Sequence, residues 1–226
     1  MHVSALRLSQ GPFGTYYEPV TYIAATYAVV GPYGYPQEEI IEAFTAVVSP
    51  EGAYQKVIER IHLATGVKHR NLAMPLEDYS QLTDFGAAND EFIRVGLELG
   101  VAAISGALSA ANIDASEVDM IMSTSVTGIA APSLEARLVP MLGMRENVKR
   151  IPIFGLGCVA GAAGIARVHD YLVGHPDEVA VLLSVELCSL TLQRDDVSMP
   201  NIVASGLFGD GAAAVVMVGE DRAARM

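Results

Sequence analysis

The sequence is short of positive charge, short of cysteine, and free of long apolar runs. Its 226 residues carry 14 Lys+Arg against 26 Asp+Glu, a formal net charge of −12. Non-specific nucleic-acid binding needs clustered Lys and Arg to displace counterions, so the balance argues against that partner class. Two cysteines cannot supply a disulfide framework or a four-thiolate zinc site, and no metal is expected. A spanning helix needs about 20 consecutive apolar residues. The longest apolar runs, 20–30 and 179–187, are shorter and rich in strand-forming residues, so no transmembrane segment is expected. The stretch before Gly11 and Pro12 has no apolar core of signal-peptide length, and no Asn-x-Ser/Thr sequon occurs. The expected setting is cytoplasmic. Charged residues make up only 18% and hydrophobic residues 51%. Such a chain is not disordered and is long enough to bury a sizeable core.

What is present alternates. Residues 1–19 contain the breakers Gly11, Pro12, Gly14 and Pro19 and read as an irregular lead-in to a unit over 20–226. Residues 20–30, β-branched and aromatic, predict a strand. Residues 36–48 predict a helix, with Pro36 in the first turn and Glu38 and Glu39 where the dipole favours acid. Residues 54–65 carry Val57, Ile58 and Ile61 at helical spacing. The longest predicted helix is 83–111, with Thr83 and Asp84 as cap candidates and Phe92, Val95, Leu99 and Ala103 in step. Its second half is rich in Ala, Gly and Ser, which predicts burial on several sides. Strands are expected at 118–125, 151–154, 179–187 and 212–218, with helices at 133–142 and 158–173 between them. This order predicts an α/β fold with a mixed, mostly parallel sheet covered by helices.

The chemistry concentrates in 151–171. A short apolar strand runs into Gly155-Leu156-Gly157, and Cys158 opens a helix that continues with small residues. Glycines let a chain reverse sharply. A cysteine at a helix N-terminus meets the positive end of the dipole, which favours the thiolate. The small residues that follow permit close packing and predict a central helix. The glycines run GxGxxxG rather than GxGxxG, and no Gly-Lys-Ser/Thr occurs, so this is not a phosphate loop.

GLGCVAGAAG, SVELCSL at 184–190 and GLFGDGAAAVV at 206–216 together resemble the type III polyketide synthases, the chalcone-synthase-like enzymes. TDFGAANDEFI at 83–93 and VTGIAAPSLEARL at 126–138 are most similar to the actinobacterial, mycobacterial-type subset that makes alkylpyrones from fatty acyl-CoA starters. The resemblance runs from about Tyr22 to about Val218. It implies a thiolase-like fold of two similar halves, of which this chain matches the N-terminal βαβαβαββ half with its five-stranded sheet. It also implies a role for Cys158 as the nucleophile that takes a starter acyl group from CoA. Malonyl-CoA would then be decarboxylated and condensed onto that thioester, with CoA thioesters as substrates and no resident cofactor.

Other positions carry over by the same resemblance. Phe208 matches the aromatic gate between the CoA tunnel and the cavity. Thr127, Cys188 and Thr191 match cavity-lining positions, with ordinary packing as the alternative. Ala131 matches a position that often carries a Met reaching across a dimer interface, and its small size implies a roomier acyl path. Arg60 matches a CoA-phosphate contact, with Lys56 assisting, while a second basic position falls on Ala64. Glu186 reads as structural or as part of a dimer interface. A homodimer is implied.

The resemblance further places a catalytic His and Asn in the second half, downstream of GDGAAAVV. The histidines at 2, 62, 69, 169 and 175 read as surface or helix-end residues. His169 lies 11 residues beyond Cys158, about 16 Å along a helix rising ~1.5 Å per residue, which is too far to pair with it. The expectation is a truncated or incomplete synthase. A ketoacyl synthase III-like enzyme and a non-catalytic binding or dimerisation subunit of the same fold are the alternatives.

Overall fold

A computed structural model describes residues 8–11, 14–17, 19–194 and 196–226. Within the expected irregular lead-in, β1 (Leu8–Gly11) and β2 (Gly14–Tyr17) pair antiparallel, with Gly11 opposite Gly14. The rest of 1–18 lies outside the described residues. β3 (Thr21–Val30) follows, then β4 (Tyr33–Pro36), α1 (Gln37–Val48), α2 (Gln55–Ala64) and β5 (His69–Leu72). β4 and β5 form an antiparallel pair that brackets the two helices. α3 (Phe85–Ala111) is capped by Asp84, whose carboxylate accepts from Ala87 N, and ends on left-handed Asn112.

Then come β6 (Met120–Ser125), α4 (Leu134–Leu142), β7 (Lys149–Phe154), α5 (Ala160–Val173), β8 (Val179–Leu187), α6 (Met199–Leu207), β9 (Asp210–Gly219) and α7 (Glu220–Ala224). The central sheet runs β3-β9-β8-β6-β7. It is mixed. β6 pairs parallel with both β7 and β8, while β9 pairs antiparallel with both β8 and β3, so parallel pairings equal antiparallel ones rather than outnumbering them.

Strand alternation divides the core. Along β8, Val179, Val181, Leu183, Val185 and Leu187 join the cluster that contains α3 and α4 residues such as Val95, Ile104 and Leu138. The intervening Ala180 and Leu182 join Met120, Met122, Val168 and Leu172 under α5. A third cluster, with Ile41, Phe44, Ile58 and Ile202, ties α1, α2 and α6 together.

α3 is long and apolar enough to cross a membrane by length and composition, and its apolar stripe instead packs on the sheet. That stripe (Phe92, Val95, Gly96, Gly100, Ala103, Ile104, Ala107, Leu108) is a single face. Ala102, Ser105, Ser109 and Ala110 are exposed, so the helix is not buried on several sides as expected. The helix after Cys158 is likewise covered on one side only. Ala160, Gly164, Val168 and Leu172 are buried, whereas Val159, Ala162 and Ala166 are exposed. Gly164 permits the close approach on the buried side, because a Cβ there would lie 2.7 Å from the Leu182 side chain.

Candidate active site

Because β6, β7 and β8 are mutually parallel, their carboxyl ends share one edge of the sheet. Open α/β sheets bind ligands at that edge. Thr127 lies just beyond β6, Cys158 just beyond β7, and Cys188 directly after β8. Topology therefore gathers three residues from separate motifs.

The turn carrying Cys158 has an unusual backbone. Gly155 has φ +91° and Gly157 φ +60°, and a Cβ at either would meet nothing within 4 Å. Conformation, not crowding, asks for glycine there. Gly157–Val159 form a 3-10 turn that leads into α5, so Cys158 sits at the helix entrance, exposed and free of any disulfide.

Cys188 opens another short 3-10 turn, Cys188–Thr191, in which Thr191 Oγ1 donates to the Cys188 carbonyl at 2.7 Å. Burial, and after it the nearby Asp210 and Glu186 carboxylates, push the Cys188 thiol up to about 12. It is a poor thiolate donor at neutral pH. Cys188, Thr191 and Phe208 line a cavity of about 90 Å³ together with Ile40, Phe44 and Leu72. Thr191 also borders a second cavity of about 430 Å³, with Thr127, Ile129 and Phe154 on its wall. Cys158 and Ala131 line neither cavity. Ala131 is exposed, and Lys56 and Arg60 are exposed one helical turn apart on α2.

Glu186 is partly buried near the end of β8. It accepts from Thr127 Oγ1 at 2.8 Å and from Val126 N at 3.1 Å, while Leu187 N donates to Thr127 Oγ1 at 2.9 Å. The carboxylate thus stitches the loop after β6 to β8, which is a structural role. His169 hydrogen-bonds Thr21 Oγ1 at 3.0 Å, and its place on α5 keeps it with β3 rather than with the thiol.

A buried polar network behind the small cavity was not read from the sequence. The Asp210 carboxylate, 4% exposed, accepts from Ala73 N at 2.6 Å, from Ser189 N at 2.9 Å, and from the Ser189 hydroxyl. Burial raises its pKa against those hydrogen bonds. Tyr79 OH meets Ser189 Oγ at 2.5 Å. Arg70 and Gln37 continue the network towards His62. His62 is fully buried, not a surface residue, and its Nε2 donates to the Ile202 carbonyl at 3.0 Å. Burial, reinforced by Arg70, lowers its pKa from 6.5 to about 4. The signal was there in principle, since His62 stands one turn after buried Ile58 on the same face of α2. Among the described residues no group of three His, Cys, Asp or Glu side chains is placed to hold a metal ion.

The family described as FAE1/Type III polyketide synthase-like protein matches residues 54–226. The chain belongs to this type III polyketide synthase-like family. It is 53% identical over 205 residues to a 1,3,6,8-tetrahydroxynaphthalene synthase of Streptomyces peucetius, covering 91% of this chain and 54% of that protein. It is 37% identical over 159 residues to a putative chalcone synthase of Bacillus subtilis, covering 68% of this chain and 44% of that protein. The chain therefore spans about half the length of these curated relatives. The crystal structure of the tetrahydroxynaphthalene synthase of Streptomyces coelicolor superposes with a TM-score of 0.80 at 31% identity, covering 88% of this chain and 56% of that one. The type III synthase-like chain thus has the thiolase-like α/β fold. The match to residues 54–226 takes in both cysteine turns and the α6–β9 segment.

Proposed function

We propose that this chain is the nucleophile-bearing half of a synthase that condenses malonyl-CoA onto an acyl group held by Cys158. One observation carries the reading: an exposed cysteine at a helix entrance, set by two positive-φ glycines at the carboxyl edge of three parallel strands. The Cys158 sulfur attacks the acyl-CoA carbonyl, the acyl–sulfur bond to CoA breaks, and CoA leaves as its thiol. Malonyl-CoA then loses CO₂, and the resulting enolate carbon attacks the Cys158 thioester. The enzyme sulfur is released and the chain is longer by two carbons. A soft sulfur nucleophile and a thioester leaving group suit this exchange.

The remaining assignments belong to the same proposal. Phe208 stands at the rim of the cavity that Cys188 and Thr191 line, which supports a gate there. Lys56 and Arg60 present two exposed cations on one face of α2 to the CoA phosphates. Thr127 and Ala131 border the path of the growing chain. The histidine and asparagine that handle malonyl-CoA come from a second half of the fold. Action as a homodimer, in the cytoplasm and without a resident cofactor, completes the reading.

The starter has two candidates. The sequence resemblance favours a fatty acyl starter and an alkylpyrone product, whereas the 53% identical relative is named for a tetrahydroxynaphthalene. Incubation with labelled malonyl-CoA, with and without a long-chain acyl-CoA, separates them by product. With the second half of the fold supplied, the expected result is a malonyl-derived polyketide that disappears in Cys158→Ala. Product from Cys158→Ala, or failure of acyl-CoA to modify Cys158 in the wild type, would sink the assignment.

A further inference from the structure

The segment between α6 and β9 carries Phe208 between two buried anchors. On one side Gln37, 1% exposed, donates through Nε2 to the Gly206 carbonyl at 2.8 Å. Arg70, 6% exposed, donates through Nε to Gln37 Oε1 and through Nη1 to the Phe208 carbonyl, both at 2.9 Å. On the other side Asp210 is held by Ser189 and Ala73, and its carbonyl accepts from Gly31 N at 2.8 Å. α6 is also pressed from behind, since a Cβ at Gly206 would fall 2.4 Å from the His62 ring. Between these anchors Phe208 is 41% exposed and lines the small cavity.

We propose that Arg70, oriented by Gln37, is a positioning residue for Phe208, fixing the end of α6 and so setting how far the ring stands across the cavity mouth. The carbonyls in the last turn of a helix have no helical partner, and a cation there also complements the dipole. A planar guanidinium serves two acceptors at a fixed angle, which a single ammonium cannot do. Both side chains are buried, so water does not replace the contacts. The inference rests on reading Phe208 as the residue at the mouth.

The sequence contains no tryptophan, so Phe208→Trp installs a unique fluorophore on the rim. In that background Arg70→Gln is expected to shift the indole emission to the red and to speed its quenching by acrylamide, while the melt stays cooperative. Cys188, which lines the cavity, is expected to favour small over bulky thiol reagents in the parent and to lose that preference in Arg70→Gln. Arg70→Lys, which keeps the charge but not the fork, should recover only part of each change. Unchanged emission, quenching and reagent selectivity in folded Arg70→Gln would overturn the proposal. Should Arg70→Gln fail to fold, Gln37→Met removes the orienting acceptor and is judged by the same readouts. None of these measurements needs turnover. An inactive protein whose indole responds as expected counts against the proposed condensation and not against this role.

Discussion

Cys158 and Cys188 stand beyond β7 and β8, the two strands that flank β6 at one edge of the sheet. Their surroundings differ in almost every respect. Cys158 leaves a turn of two positive-φ glycines, enters α5 and is exposed. Cys188 leaves β8 directly, enters an isolated 3-10 turn and is half-buried between carboxylates. The same residue at the same edge is thus offered to solvent in one loop and held as a thiol in the other. The environment, not the residue type, separates an exposed sulfur at a helix entrance from one in the wall of the cavity.

The contrast is open to tests of decreasing size. The largest is loss of function. Cys158→Ala should abolish covalent acylation by acyl-CoA, measured by intact mass, whereas Cys188→Ala should leave the acyl group on Cys158. Acylation that follows Cys188 instead would invert the comparison.

Next is the difference in thiol reactivity. At pH 8 a thiol near pKa 12 is roughly one part in ten thousand thiolate. Allowing for the greater nucleophilicity of a basic thiolate, Cys188 should react with iodoacetamide on the order of a hundredfold more slowly than an ordinary exposed thiol. Its rate should keep rising with pH long after such a thiol has levelled off. Peptide mapping of labelled protein at several pH values reads both effects.

The comparison holds only while the fold does, and His62 limits that range. Its folded pKa of about 4 lies below the unfolded 6.5, so between these values the unfolded chain binds more protons. Stability from this group is therefore complete above about pH 6.5 and is lost as pH falls towards 4, by roughly 2–3 kcal/mol. Urea melts across that window should show the loss in the wild type and a shallower slope in His62→Gln. A flat profile in the wild type would remove the argument.

The smallest effect is at the turn itself. Gly157→Ala forces a side chain into the left-handed region and should cost about 1–2 kcal/mol, read from the urea midpoint, with slower labelling of Cys158. Equal stability would show that the turn is not what presents the sulfur.

The legible parts of this molecule were local. The strand at 179–187, the capped helix beginning beside Asp84 and the glycine turn before Cys158 each carry their pattern within a few residues. What was missed depends on partners distant in sequence. β4 and β5 are four residues each and pair across both α1 and α2, so neither shows alternation long enough to read. α6 opens on Met199-Pro200 and contains Ser205 and Gly206, which mimic a loop until His62 packs against it. Gln37, Arg70 and Asp210 look like ordinary surface polar residues. Only the fold brings them together behind Phe208. The turn that carries the proposed nucleophile was visible in the sequence, and the polar framework behind the small cavity was not.

The turn before Cys158 has one more consequence. At Gly157 the backbone is left-handed and the space around an added Cβ is empty, so the position discriminates by handedness and not by size. A D-alanine placed there by semisynthesis adopts that φ without backbone strain and would narrow the unfolded ensemble. Gly155 shares the positive φ, so the two achiral residues of this turn are the positions at which mirror-image replacement should hold the sulfur more firmly.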